Sequence, residues 1–134
     1  MLINLSNHPL SKWSEKQRLT AEQQFGKIVD LPFPVVPTDA GLNQVVQLVE
    51  EKVAACMKIL DEKKTMSSET SGNSDAVHIM GEMTFVYQFV NKMSVEGILC
   101  VASTTGRIAE EKSDGTKLSR FEFVQFRPYT EELF

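Results

Sequence analysis

His8 stands in the run Ser6-Asn7-His8-Pro9, directly after a short apolar stretch, Leu2 to Leu5. An imidazole titrates near neutrality, so at a strand end it could protonate a leaving oxygen or orient an attacking hydroxyl. The plainer alternative is a hydrogen bond to the strand-end backbone. A second polar run, Ser103-Thr104-Thr105-Gly106-Arg107, follows the apolar residues Ile98 to Ala102. Its hydroxyls suit a phosphate or ribose cradle, and Arg107 offers a planar fork to a phosphate, although Ser and Thr also cap turns. The third run is Gly81-Glu82-Met83-Thr84. Gly81 permits close approach of backbone, and the helix that follows turns free N–H groups toward an anion. Glu82 is a candidate base or, equally, a carboxylate favoured by the helix dipole. His78, inside an apolar strand, reads as a satisfied core residue. The expected ligand contacts are therefore Ser6, Asn7, Gly81, Glu82, Met83, Thr84, Ser103, Thr104 and Thr105, with His8 and Arg107 as the catalytic pair.

Several familiar chemistries have no carrier. There is no GxGxxG or GxxxxGK[ST] phosphate loop and no GxSxG nucleophile turn. Two separated histidines and two separated cysteines, Cys56 and Cys100, make no metal-ligand set. The methionines Met66, Met80, Met83 and Met93 suit packing and loops. A function without a cofactor is favoured. A net charge of −4 argues against broad coating of long nucleic acid, while leaving room for a local pocket that takes a small anion. Met1 to Pro9 lacks the basic and long apolar segments of a signal peptide, and no stretch approaches the ~18 apolar residues of a membrane span. The cytoplasm is the expected compartment.

Positioning these runs requires alternating strands and helices. With 134 residues, 42% hydrophobic and 24% charged, the chain fits one domain, 1–134, able to bury a core. Strands are expected at Leu2–Leu5, at Lys27–Leu31 before Pro32-Phe33-Pro34, at Ala76–Met80 and at Ile98–Ala102. Helices are expected from near Ser11 to Gly26, from Leu42 to Lys64 on the spacing of Val45, Val49, Val53, Cys56 and Leu60, and from Met83 to Val95. Thr65 to Asp75 reads as a mobile surface loop. Arg107–Glu111 and Leu118–Arg127 flank Asp114-Gly115, a strong hairpin signal. Continuous apolar strands alternating with helices predict an α/β fold, a Rossmann-like three-layer sandwich with a parallel core sheet of order 2-1-3-4 and a C-terminal β-hairpin. Ligands then favour the carboxyl ends of the strands where the order reverses, between the first and third, and there the three polar runs converge.

Ser6-Asn7-His8-Pro9, Asp30-Leu31-Pro32-Phe33-Pro34, His78-Ile79-Met80-Gly81-Glu82-Met83-Thr84 and Ala102-Ser103-Thr104-Thr105 together resemble small standalone CRISPR-associated Rossmann-fold (CARF-like) proteins. The resemblance implies binding of a cyclic oligoadenylate second messenger, and in some members its cleavage as a ring nuclease in type III antiviral signalling. It implies a homodimer with the ligand across the paired strand ends, which the apolar excess of the long helix also suggests. Cleavage without metal is chemically open, because an RNA phosphodiester carries its own 2′-hydroxyl. Two alternatives stand beside it: a nucleotide-binding module without catalysis, and a protein-interaction domain using Phe121, Phe123 and Phe126. Alternating aromatics there would more simply pack the hairpin onto the sheet.

Overall fold

The computed structural model describes residues 1–66 and 74–131. The expected loop at Thr65 to Asp75 falls mostly outside these described residues. The order of elements is β1 (Leu2–Ser6), a 3-10 turn (Leu10–Lys12), α1 (Glu15–Phe25), β2 (Ile28–Asp30), α2 (Leu42–Met66), β3 (Ala76–Met80), α3 (Met83–Val95), β4 (Leu99–Glu111) and β5 (Lys117–Pro128). Ser14 starts α1 by accepting a hydrogen bond from the Gln17 amide, and Gly26 ends it at φ +85°, where a side chain would be strained.

The strands form one five-stranded mixed sheet of order β2-β1-β3-β4-β5. Pairing of β1 with β2, β1 with β3 and β3 with β4 is parallel, and β4 with β5 is antiparallel. The chain is therefore α/β, with three α-helices around a sheet that is parallel only in its first four strands. Side chains alternate across it. Ile3, Leu5, Val77, Ile79 and Cys100 face α2 and α3, where they meet Val45, Val49, Leu60, Phe85, Phe89 and Met93. Leu2, Ala76 and Val101 face α1, with Ala21, Phe25, Phe123 and Phe126.

One expectation is corrected. Ser103 to Arg107 is no turn: β4 runs unbroken from Leu99 to Glu111, so the expected fourth strand and first arm of the hairpin are one strand. Thr and Ser extend readily when a partner strand supplies the hydrogen bonds, and β5 does so from Val101 through Glu111. The register slips between Thr104 and Thr105, which pair with Gln125 and Phe123, leaving Val124 as an extra residue. This bulge puts Phe123 and Phe126, three apart, on the same buried face. The hairpin therefore packs both rings inward, while Phe121 stays 72% exposed. No helix among the described residues is long and apolar enough to cross a membrane.

Candidate functional site

Parallel register sets four polar side chains in a line across the sheet. Asn4 pairs with Asp30 of β2 on one side and His78 of β3 on the other. Two residues beyond Val101, the partner of His78, stands Ser103 of β4. All lie on the α1 face toward the carboxyl ends. Asn4 Nδ2 donates to Asp30 Oδ1 at 2.9 Å and to the His8 carbonyl at 2.8 Å. Asn4 Oδ1 accepts from Ser6 Oγ at 2.8 Å and lies 2.9 Å from His78 Nδ1. His78 Nε2 is 3.1 Å from Ser103 Oγ. Trp13 covers this line, its ring edge-on to His78 at 5.2 Å, and Phe126 approaches the same imidazole at 5.6 Å. Burial pushes the His78 pKa down to about 4, with nearby His8 adding to the effect, so the ring is neutral at physiological pH. Every buried polar side-chain atom among the described residues has a partner.

His8 belongs to this network through its backbone. Its carbonyl accepts from Asn4 Nδ2 and from Trp13 Nε1 at 3.0 Å, and its N–H donates to Ser6 Oγ at 3.2 Å. The side chain itself is exposed. Asp30 fixes the next step of the chain by accepting from the Leu10 amide.

Two hollows open at the carboxyl ends, on either side of the β1–β3 junction. One, of about 420 Å³, is lined by Asn4, Ser6, Asn7, Pro9, Asp30 and Phe33 among others. The other, also about 420 Å³, is bounded by Met80 and Gly81 below, Met83, Val86, Tyr87, Val90 and Asn91 of α3, and Tyr129 with Thr130 opposite. Tyr129 is held there by donating to the Ile79 carbonyl at 2.6 Å. Phe33 lines the first hollow and packs on Gly81, which lines the second. Its ring lies so close over Gly81 that a Cβ on Gly81 would sit 2.3–2.7 Å from three ring carbons. Gly81 thus allows a close approach, as expected, and an aromatic ring of the same chain makes it.

The remaining expected residues part company. Glu82 caps α3: its carboxylate accepts from the Thr84 and Phe85 amides and from the Thr84 hydroxyl. The Thr84 hydroxyl and then these two amides hold its pKa below the usual carboxylate range. The N–H groups expected to face an anion are therefore taken by the chain's own carboxylate. Met83 lines the second hollow. Thr104 donates to the Gln125 carbonyl at 3.3 Å, and Thr105 is exposed beside the bulge. Arg107 lies four residues beyond Ser103, roughly 13 Å at ~3.3 Å per residue. Its Nε donates to Ser119 Oγ at 2.6 Å on the exposed hairpin. The structure brings Ser6, Asn7, Gly81, Met83 and Ser103 to the strand ends and leaves Arg107 apart.

Sequence reasoning missed Asn4, Trp13, Asp30, Phe33 and Tyr129. A polar Asn4 between Ile3 and Leu5 was the available signal, since only a partner on the next strand satisfies it. No curated protein and no solved structure matches the chain. A family model matches residues 1–127, a span that takes in every strand and helix described above except the last residue of β5. The chain belongs to the uncharacterized protein MJ1673 family.

Proposed function

We propose that the chain binds a cyclic oligoadenylate across the carboxyl ends of β1 and β3, as a homodimer in the cytoplasm, and opens the ring without a metal. The observation that supports this reading is the pair of equal hollows flanking the junction where strand order reverses, the place where open α/β sheets hold nucleotides. Each has a volume within the range of small-molecule sites and is larger than a nucleobase. A ligand with repeating bases can place neighbouring units in the two hollows. The fold on this reading is the Rossmann-like three-layer sandwich, with α1 on one face and α2 and α3 on the other. Ser6 and Asn7 supply uncharged hydrogen bonds at the lip, and His8 beside them assists proton transfer.

The test is incubation with cyclic tri-, tetra- and hexa-adenylate in EDTA, with chromatography of products and equilibrium binding in parallel. Linear products in EDTA are the expected result, and absence of any binding overturns the reading. Light scattering at micromolar protein tests the dimer; a monomer overturns that part. A second reading, binding without turnover, draws on Arg107, which stands away from the hollows and so offers no charge to a reacting phosphate. It predicts saturable binding with intact rings.

A further inference from the structure

The hydrogen bonds of Asn4 fix which proton every member of the buried line carries. Its Nδ2 gives both protons away, to Asp30 and to the His8 carbonyl, so Oδ1 is the atom facing Ser6 and His78. An amide oxygen has no proton to donate. His78 must therefore carry its proton on Nδ1 and present a bare Nε2 to Ser103 Oγ, 3.1 Å away. The Ser103 hydroxyl has one proton and two neighbours, this nitrogen and the Met80 thioether at 3.1 Å. An imidazole nitrogen is the stronger acceptor, so the proton points at His78. Hydroxyl, imidazole and orienting amide stand in the order of a nucleophile, its base and the base's holder. Trp13 and Phe126 pack edge-on against the imidazole, at 5.2 and 5.6 Å between centroids. On its outer side Ser103 meets Met80, which lines the hollow under α3. Met80 is unbranched and rotates about three bonds, which makes it a displaceable cover over the hydroxyl.

We infer that Ser103 is a catalytic nucleophile, with His78 as its general base and Asn4 as the positioning residue, attacking a phosphodiester presented from the hollow under α3. The substrate rests on the reading proposed above, while the route is separate from it. Ser103 Oγ forms a bond to phosphorus as His78 Nε2 takes the hydroxyl proton. The bond from phosphorus to the ribose 5′-oxygen breaks, and that oxygen receives the proton from Nε2. The opened chain is then esterified to Ser103 through its 3′-phosphate. Water, losing a proton to Nε2, attacks phosphorus; the bond to Oγ breaks and Ser103 recovers the proton. The product is a linear oligoadenylate with a 3′-phosphate. Attack by the ribose 2′-hydroxyl would leave a 2′,3′-cyclic phosphate instead.

Two measurements on the full chain test the inference. The first uses a fluorophosphonate, in which attack by the seryl oxygen expels fluoride. Intact mass and peptide mapping are expected to show one adduct, on Ser103, with labelling slowed at least 100-fold in His78→Gln and absent in Ser103→Ala. No adduct on the unsubstituted protein overturns the nucleophile. The second uses cyclic tetra-adenylate built from 2′-deoxyribose, which has no internal nucleophile. Its cleavage to a linear product ending in a 3′-phosphate is the expected result. Cleavage of the ribose ring alone, with a 2′,3′-cyclic phosphate, overturns the serine route and leaves the proposed function standing. Labelling of Ser103 with no binding of either ring overturns the proposed function and leaves the nucleophile standing.

Discussion

His78 shows how burial sets what one residue can do. At 2% exposure, between Trp13 and Phe126, it satisfies both ring nitrogens and pays for this by giving up its charge. The sign of the consequence is fixed. Unfolded, the group binds a proton below about 6.5, whereas folded it does so only near 4. Between those values the unfolded chain holds the extra proton, so stability is fully present above about pH 6.5 and is lost as pH falls toward 4. The loss is up to about 3 kcal/mol at ~1.4 kcal/mol per tenfold change in proton affinity. Urea melts of the unsubstituted protein at pH 7 and pH 5 should differ accordingly, and His78→Gln should flatten the slope over that window. Equal slopes for the two proteins would remove His78 as the cause. The sequence showed His78 as a satisfied core residue, and that is where it lies. Its partners were hidden because they come from β1 and β4, 74 and 25 residues away.

At the scale of elements, the junction of β3 and α3 is the most fully determined part of the fold. Both elements appear at the bounds their residue patterns predict, because apolar strand, glycine and amphipathic helix agree locally. The fourth strand was harder. Ser103 to Arg107 has the composition of a turn, and only the ladder with β5 makes it extended, a partner more than ten residues away that composition cannot reveal. The Phe33 segment was also unreadable, since proline spacing marks an irregular path without giving its destination. That destination is Gly81, and the contact yields a test. Gly81→Ala places a methyl inside the Phe33 ring, so the ring must leave its contact with Phe85, now 4.9 Å between centroids. A displacement of this kind in a packed core typically costs about 1–3 kcal/mol. Phe33→Ala alone should cost at the upper end of that range or beyond. In the double variant the added methyl has open space, so its cost should fall to near zero; additive losses in denaturant melts would show that the two residues do not meet.

For the whole molecule, the two faces of the sheet divide the work. The α2–α3 face is a continuous apolar layer, whereas the α1 face combines a smaller apolar cluster with the Asp30–Asn4–His78–Ser103 line. Phe126 joins them. Its ring meets Trp13 at 6.0 Å, Phe25 at 5.8 Å, Phe123 at 4.9 Å and His78 at 5.6 Å, so one side chain of the last strand touches α1, its own strand and the buried imidazole. The bulge at Val124 is what turns it inward. Phe126→Leu keeps apolar volume but loses these ring contacts, each worth about 0.5–1.5 kcal/mol beyond burial. A loss near 2 kcal/mol is expected after repacking, small enough for the fold to survive. The telling readout is at His78. A leucine leaves the imidazole less shielded, so water reaches it and its pKa rises from about 4 back toward 6.5. Following the His78 ring protons by NMR against pH should show that rise, together with a shallower dependence of stability on pH between 7 and 5. A His78 titration unmoved by Phe126→Leu would mean that Trp13 alone dries the site, and that the hairpin contributes only its packing.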